Sequence, residues 1–255
     1  MTDHEKIEDC IDELVDYAED SIPVLSETKE LLGVITAQDV VEAVDDEMGE
    51  DYAKLAGLTD EEDLRETTKE SMKKRLPWLI ILLFLGMGVS SVVGAFEAVV
   101  AVLPIVMCFQ SLILDMAGNV GTQSLAVTIR VLMDENLTGK QKLHLVWKEM
   151  KVGFVNGLLL GSLAFVFIGI YIACFKHNAW LHAFLISGCV GVSLMVAMVI
   201  SSLVGTLIPI FFHKIKIDPA VASGPLITTV NDLVAVVTYY GLAWLFLIQI
   251  MQIVS

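Results

Sequence analysis

The chain has 255 residues, 55% of them hydrophobic and 18% charged, with a formal net charge of −15 and a mean hydropathy of +0.71. This is the profile of a membrane protein with a soluble appendage. Residues 1–72 hold 24 acids against five Lys/Arg, a net charge of −19, while the remainder holds seven acids against 11 Lys/Arg, a net charge of +4. No basic surface exists to neutralise phosphates, which excludes nucleic acid as a partner. Cys10, Cys108, Cys174 and Cys189 show no metal-ligand or paired spacing and read as small core residues. The acidic start carries no short apolar run behind a basic segment, so it is not a signal peptide, and the front of the chain is expected in the cytoplasm.

Residues 21–44, "SIPVLSETKELLGVITAQDVVEAV", alternate as two strands around a polar turn and then turn helical. Such a unit is too small to bury a core by itself. From Asp45 to Lys74 the pattern is polar and helical, with acids at 45–47, 50–51 and 60–63. The 21 uncharged residues between Arg75 and Glu97 are long enough to cross a hydrocarbon core of about 30 Å. A second apolar stretch runs from Ala101 to Met133, interrupted by Asp115 and by "AGNVG" at 117–121. As one straight helix it would be about 50 Å long, so a kink or break is expected at the glycines.

A polar loop is expected over 134–151, a third span over 152–174, and one long helix over 178–212. A single crossing there puts "KKR" (73–75), the lysines of 134–151 and "HKIK" (213–216) on the same, inner side, which satisfies the positive-inside rule. A fifth span covers about Pro219–Ile250, with the C-terminus outside. Trp78 and Trp180 fall near span ends, where indoles favour the interface. The fold class that follows is an all-α polytopic membrane protein with five transmembrane helices, preceded by a short α/β segment and a connecting helix.

Within the fifth span, "TTVNDLVAVV" (228–237) carries Asn231 and Asp232. A carboxylate at membrane depth costs several kcal/mol, and such residues mark ion or proton pathways. The bland alternative is a lone polar clamp between helices. In helical register Pro225, Thr228, Thr229 and Asp232 share a stripe. Counted from Pro219, Asp232 lies 13 residues, or about 20 Å, into the span. In the second span "AGNVGTQS" (117–124) adds Gly118 and Gly121, which permit close approach and release carbonyls, together with Asn119, Thr122, Gln123 and Ser124. Its bland alternative is small-xxx-small packing.

Every candidate ligand is an oxygen, so the lining suits a hard cation, magnesium, calcium or a monovalent ion. Magnesium keeps several of its waters and would fit one carboxylate plus neutral oxygens. One carboxylate per chain undercharges a divalent site, whereas a twofold dimer supplies two. Asp115 is a further candidate for the path, Asp218 before Pro219 reads as a cap, Glu97 as a solvated helix end, and the histidines are too scattered to ligate. An intramembrane protease is disfavoured by the lack of HExxH or paired catalytic aspartates, and no ATP-hydrolysing motif is seen. A membrane-anchored sensor with a working acidic front is a third class.

The stretches "KKRLPWL" (73–79), "DMAGNVGTQSLAVTIR" (115–130), "KEMKVGFVNGLLLG" (148–161) and "DPAVASGPLITTVNDL" (218–233) resemble the transmembrane part of the MgtE family of magnesium transporters and channels. Residues 20–44 resemble the end of a CBS domain. The resemblance implies no enzyme but a plasma-membrane homodimer that passes Mg2+ through a pore lined by the second and fifth spans. Asp232 would recognise the hydrated ion, Gly118 and Asn119 would lie in a pore-lining break, and Thr228 and Gly224 would face the ion. Asp115, Thr122 and Thr229 follow as further lining. A broader divalent cation transporter is the nearest alternative. Thr36 and Asp39 in "GVITAQD" match nucleotide-contact positions of CBS modules, with an adenosine nucleotide implied only for a complete pair. The implied division is 1–50 partial CBS segment, 51–75 connecting helix and 76–255 ion-conducting domain.

Overall fold

The computed structural model describes residues 21–59, 64–134, 137–176, 178–221 and 224–250. Cys10 and His177 lie outside them. The chain divides into a front unit that ends at Lys74 and a membrane unit. In the front unit, strands β1 (Ser21–Leu25) and β2 (Leu31–Thr36) pair antiparallel, Ser21 opposite Thr36. Lys29, left-handed at φ 64, closes the turn by donating its backbone N–H to Ser26 O at 2.8 Å. Helix α1 (Ala37–Leu55) follows at once. The strand–turn–strand–helix unit is the one its alternation predicts. As expected of so small a unit, it leaves apolar side chains open, with Leu31, Leu32 and Val34 all exposed.

Helix α2 (Thr68–Ala95) starts well before the uncharged run, and α1 has already ended at Leu55. Gly57 stands at φ 82, where a side chain is strained. At the α2 start the Thr67 N–H and Oγ1 both donate to Glu70 Oε2, at 2.8 and 2.7 Å. Among the described residues of 51–75, one helix ends at Leu55 and the next starts at Thr68, in place of a single connecting helix.

Five helices are long and apolar enough to cross a membrane. After α2 come α3 (Glu97–Val102), a 3-10 turn at Pro104–Phe109, α4 (Gln110–Asp134), α5 (Gly139–Phe175), α6 (Trp180–Lys214), a 3-10 turn at Pro219–Val221 and α7 (Gly224–Leu242). The last helix runs on as a π-helical segment, Ala243–Ile250. Residues 178–212 do form one helix, α6.

Three expectations change. The second stretch breaks at Leu103–Pro104, upstream of its glycines, and α4 is continuous through Gly118 and Gly121. Proline has no N–H to extend the preceding helix, and a break there already shortens the stretch to membrane length. The 134–151 segment is mostly helix. Thr138 and Gln141 make a capping box, the Thr138 N–H donating to Gln141 Oε1 at 2.8 Å, and α5 begins three turns early. The fifth span starts at Gly224 rather than Pro219, which brings Asp232 to about 12 Å from the helix start.

Backbone contact holds the bundle together. A Cβ on Gly161 of α5 would meet Gly191 O of α6 at 2.6 Å, and one on Gly157 would meet the Met195 backbone at 2.9 Å. Between helices in lipid such contact supplies dispersion in place of the missing hydrophobic drive. Gly205 of α6 packs in the same way on the Gly121 carbonyl of α4. At the other end of α4, Tyr239 Oη donates to Val106 O at 2.8 Å and Tyr240 Oη to Gln110 Oε1 at 2.5 Å. Tyr240 also stacks on Phe96 at 5.6 Å, so α7 is anchored to the broken entry into α4. By contrast α2 buries no residue.

Candidate cation site

Close contacts between α4 and α7 set the site. A Cβ on Gly118 would lie 3.2 Å from Thr228 Cγ2, and one on Gly224 would lie 3.8 Å from Thr122 Cγ2. Numbers rise on α4 as they fall on α7 across these two contacts, so the helices run antiparallel. Gly121 meets Asn231, whose amide fills the space a side chain there would need. Asn231 is fully buried between the helices. The two neighbours thus divide: Asn231 packs inward and Asp232, about 100° around the helix, does not.

Asp232 is half-buried. Among the described residues it has no hydrogen bond or ion pair. The hydroxyls beside it are committed as donors: Thr228 Oγ1 to Gly224 O and Thr229 Oγ1 to Pro225 O, both at 2.9 Å. Thr122 Oγ1 likewise contacts Gly118 O at 3.2 Å and Asn119 O at 2.9 Å. A hydroxyl whose proton is tied to a helix carbonyl keeps its lone pairs as acceptors. Each of these threonines can therefore face a cation or the hydrogens of its water shell.

Gly118 and Asn119 do not sit in a break. Gly118 serves close approach to Thr228, and the carbonyls of this stretch remain within an unbroken helix. The expectation of freed backbone oxygens is corrected to small-residue packing on one side of α4 with an open polar face on the other. Ser111, Asp115, Asn119, Gln123 and Arg130 lie within about a third of the helix circumference and are all exposed, while the opposite face is buried. Asn119 Nδ2 donates to Asp115 Oδ1 at 3.1 Å along this stripe.

No group of three His, Cys, Asp or Glu side chains converges among the described residues. The donor set therefore suits an ion that keeps water rather than one stripped into a protein cage. Of the cysteines, Cys189 is buried, whereas Cys108 and Cys174 are exposed instead of forming core. Asp218 accepts the Ala220 N–H at 2.8 Å, an ordinary cap for the turn it precedes.

Thr36 and Asp39 form a capping box for α1: the Thr36 N–H donates to Asp39 Oδ2 at 2.7 Å and Thr36 Oγ1 to the same oxygen at 2.6 Å. These bonds, the side-chain one first, hold the Asp39 carboxyl below its ordinary pKa.

One buried acid escapes the sequence reading. Glu149 is only 5% exposed and its Oε2 accepts from Ser124 Oγ at 3.0 Å, joining α5 to α4. Its signal was spacing: Glu149 falls four residues before Gly153, Gly157 and Gly161, all on the buried face of α5.

A family profile, MgtE, described as "Divalent cation transporter", matches residues 110–242, the limits of α4 and α7. A CBS domain profile matches residues 2–46. The chain is 37% identical over 240 residues to a protein of Enterococcus faecalis named Magnesium transporter MgtE, covering 94% of this chain and 51% of that one. Proteins of the same name from Bacillus subtilis and Thermus thermophilus are 38% and 32% identical, over 89% and 92% of this chain and 48% and 50% of theirs. The chain spans about half the length of the curated relatives it matches.

Proposed function

This chain belongs to the MgtE family of divalent cation transporters, and on that premise we propose that it passes Mg2+ across a plasma membrane through a pore shared by two copies. Spans α4 and α7 line that pore, and Asp232 recognises the hydrated ion. The observation that carries the reading is the unpartnered, half-buried carboxylate of Asp232 within a membrane-crossing helix. Its cost needs an offset from outside the chain, and a hydrated cation supplies one. Gly118, Asn119, Thr122, Gly224, Thr228 and Thr229 form the rest of the lining, with Asp115 further along the exposed polar stripe of α4. The hydroxyl and amide oxygens bind the waters of the ion rather than the ion itself, which suits the reluctance of magnesium to dehydrate.

Two copies answer two features. One carboxylate undercharges a divalent site and a twofold axis doubles it. The polar face of α4 and the unburied apolar surface of α2 are then the surfaces a second copy and the lipid would cover. The C-terminal end of α6 and the start of α5 share one end of the bundle, where Lys142 Nζ lies 3.1 Å from His213 Nδ1. Lys140, Lys148, Lys151, Lys214 and Lys216 belong to the same end, and the positive-inside rule supports a topology with this end and the N-terminal front in the cytoplasm and the C-terminus outside.

The test is flux into liposomes, with Mn2+, Co2+ and Ca2+ as competitors. The full chain should carry Mg2+, and Asp232→Asn should reduce that flux by at least tenfold. Wild-type flux through Asp232→Asn would refute the assignment.

A further inference from the structure

The lysine-rich end of α5, cytoplasmic in the topology proposed above, holds a second feature that the ion path does not use. A groove of about 410 Å3 opens between the ends of α4 and α5, lined by Val131, Leu137, Lys140, Gln141, His144, Leu145 and Lys148. Lys140, His144 and Lys148 recur every four residues on one stripe of α5, and all three are exposed. Two lysines about 12 Å apart along the helix thus flank an imidazole. None of the three has an ion pair with a carboxylate among the described residues. Like charges gathered around one concavity, with no carboxylate partner among the described residues, are complementary to an anion from outside.

The floor of the groove is apolar. Leu145 is buried, and Val131 and Leu137 are half-buried. The depth is also defined: charges on α5 end at Lys151, and the uncharged run begins at Val152. Lys148 is therefore one turn from the start of the hydrocarbon-spanning stretch, and Lys140 is two turns beyond it. Trp147 and Leu143 stand exposed on the same turns, and an indole at that height is an interfacial anchor. A free phosphate or an acidic peptide would satisfy the lysines but has no use for an apolar floor at the membrane boundary.

We propose that the groove between the ends of α4 and α5 is a binding site for an anionic phospholipid. The headgroup phosphate lies between Lys140 and Lys148, and an acyl chain runs over Val131 and Leu145. Basic concavities between helix ends at the cytoplasmic surface have the chemistry for such headgroups. Because the site occupies the entry into α5, a bound lipid also holds that helix at a fixed depth.

The experiment is thermal unfolding of the full chain in neutral detergent, titrated with phosphatidylglycerol, phosphatidylcholine or inorganic phosphate. Phosphatidylglycerol should raise the midpoint well beyond the effect of phosphatidylcholine, and inorganic phosphate should leave it unmoved. In Lys140→Gln/Lys148→Gln the apparent affinity for phosphatidylglycerol should fall about fivefold for each lysine, about twenty-five-fold in all. Lys140→Arg/Lys148→Arg should keep the wild-type response, and Lys176→Gln, at the opposite end, should not alter it. An equal shift from phosphatidylcholine, a shift from inorganic phosphate alone, or an unchanged response in the double glutamine variant overturns the proposal. If the glutamine variant does not fold, native mass spectrometry of the wild-type chain from mixed lipid decides. Selective retention of phosphatidylglycerol that is lost at high salt supports the site, and retention of both lipids equally overturns it.

Discussion

Gly161→Ala is the sharpest probe of how this bundle is held. The new Cβ would stand 2.6 Å from Gly191 O, whereas ordinary contacts begin at 3.4 Å, so α5 and α6 must part by about 0.8 Å at that point. The obstacle is backbone, which has no rotamer to change. A gap of that size forfeits a quarter to a half of each dispersion contact along the seam, and in lipid nothing hydrophobic compensates. The expected loss is about 1–3 kcal/mol, the range for overpacking. Gly188→Ala is the matched control: its Cβ would lie 3.6 Å from Phe165 Cε2, an ordinary contact. It should be neutral or slightly stabilising, since alanine is the better helix former. The assay is reversible unfolding in bicelles by increasing SDS. Equal stability of Gly161→Ala and wild type, or equal damage from both variants, would refute the reasoning.

Gly121→Ala should separate α4 from α7 by displacing the Asn231 amide and should lower Mg2+ flux, whereas Gly118→Ala, whose Cβ meets the Thr228 side chain no closer than 3.2 Å, should retain most of it; liposome flux compares the two. Glu149→Ala removes the acceptor of Ser124 Oγ in a buried setting and should cost about 1–3 kcal/mol. Glu149→Gln keeps an acceptor for Ser124 Oγ and should be close to neutral in the same unfolding assay. The Asp39 carboxyl, held below its ordinary 3.8 by accepting from Thr36, contributes stability that is complete above the ordinary value and lost as pH falls through the lower folded value. The protection of the first-turn amides of α1, measured as exchange relative to an unstructured peptide at the same pH, should therefore fall as pH drops below the ordinary carboxyl value, and Asp39→Asn should flatten that dependence.

Much of the site is readable along one helix because 3.6-residue periodicity is a local property. It places Thr228, Thr229 and Asp232 on one stripe and sends Asn231 to another. The role of Gly118 and Gly121 is not local. Glycine in an apolar run is compatible with a break or with close packing, and Thr228, Asn231 and Gly205 decide for packing. Pro104 carries the break because its missing donor ends α3 whatever its neighbours do. The 134–151 segment reads as loop by its polarity, yet the Thr138–Gln141 box starts a helix there and turns Glu149 inward.

The count of spans and the presence of a carboxylate within the last of them follow from the sequence by itself, whereas the distance of Asp232 from the start of its helix does not. Only runs of about 20 apolar residues can satisfy their backbone within a hydrocarbon layer, and such runs are visible one at a time. The tertiary structure alone decides which face of each span meets protein. It packs Asn231 against Gly121, ties Glu149 to Ser124, and leaves the polar side of α4 uncovered. Those outcomes depend on contacts set to within an ångström between residues about 25 to 110 positions apart, which no pattern along a single helix encodes.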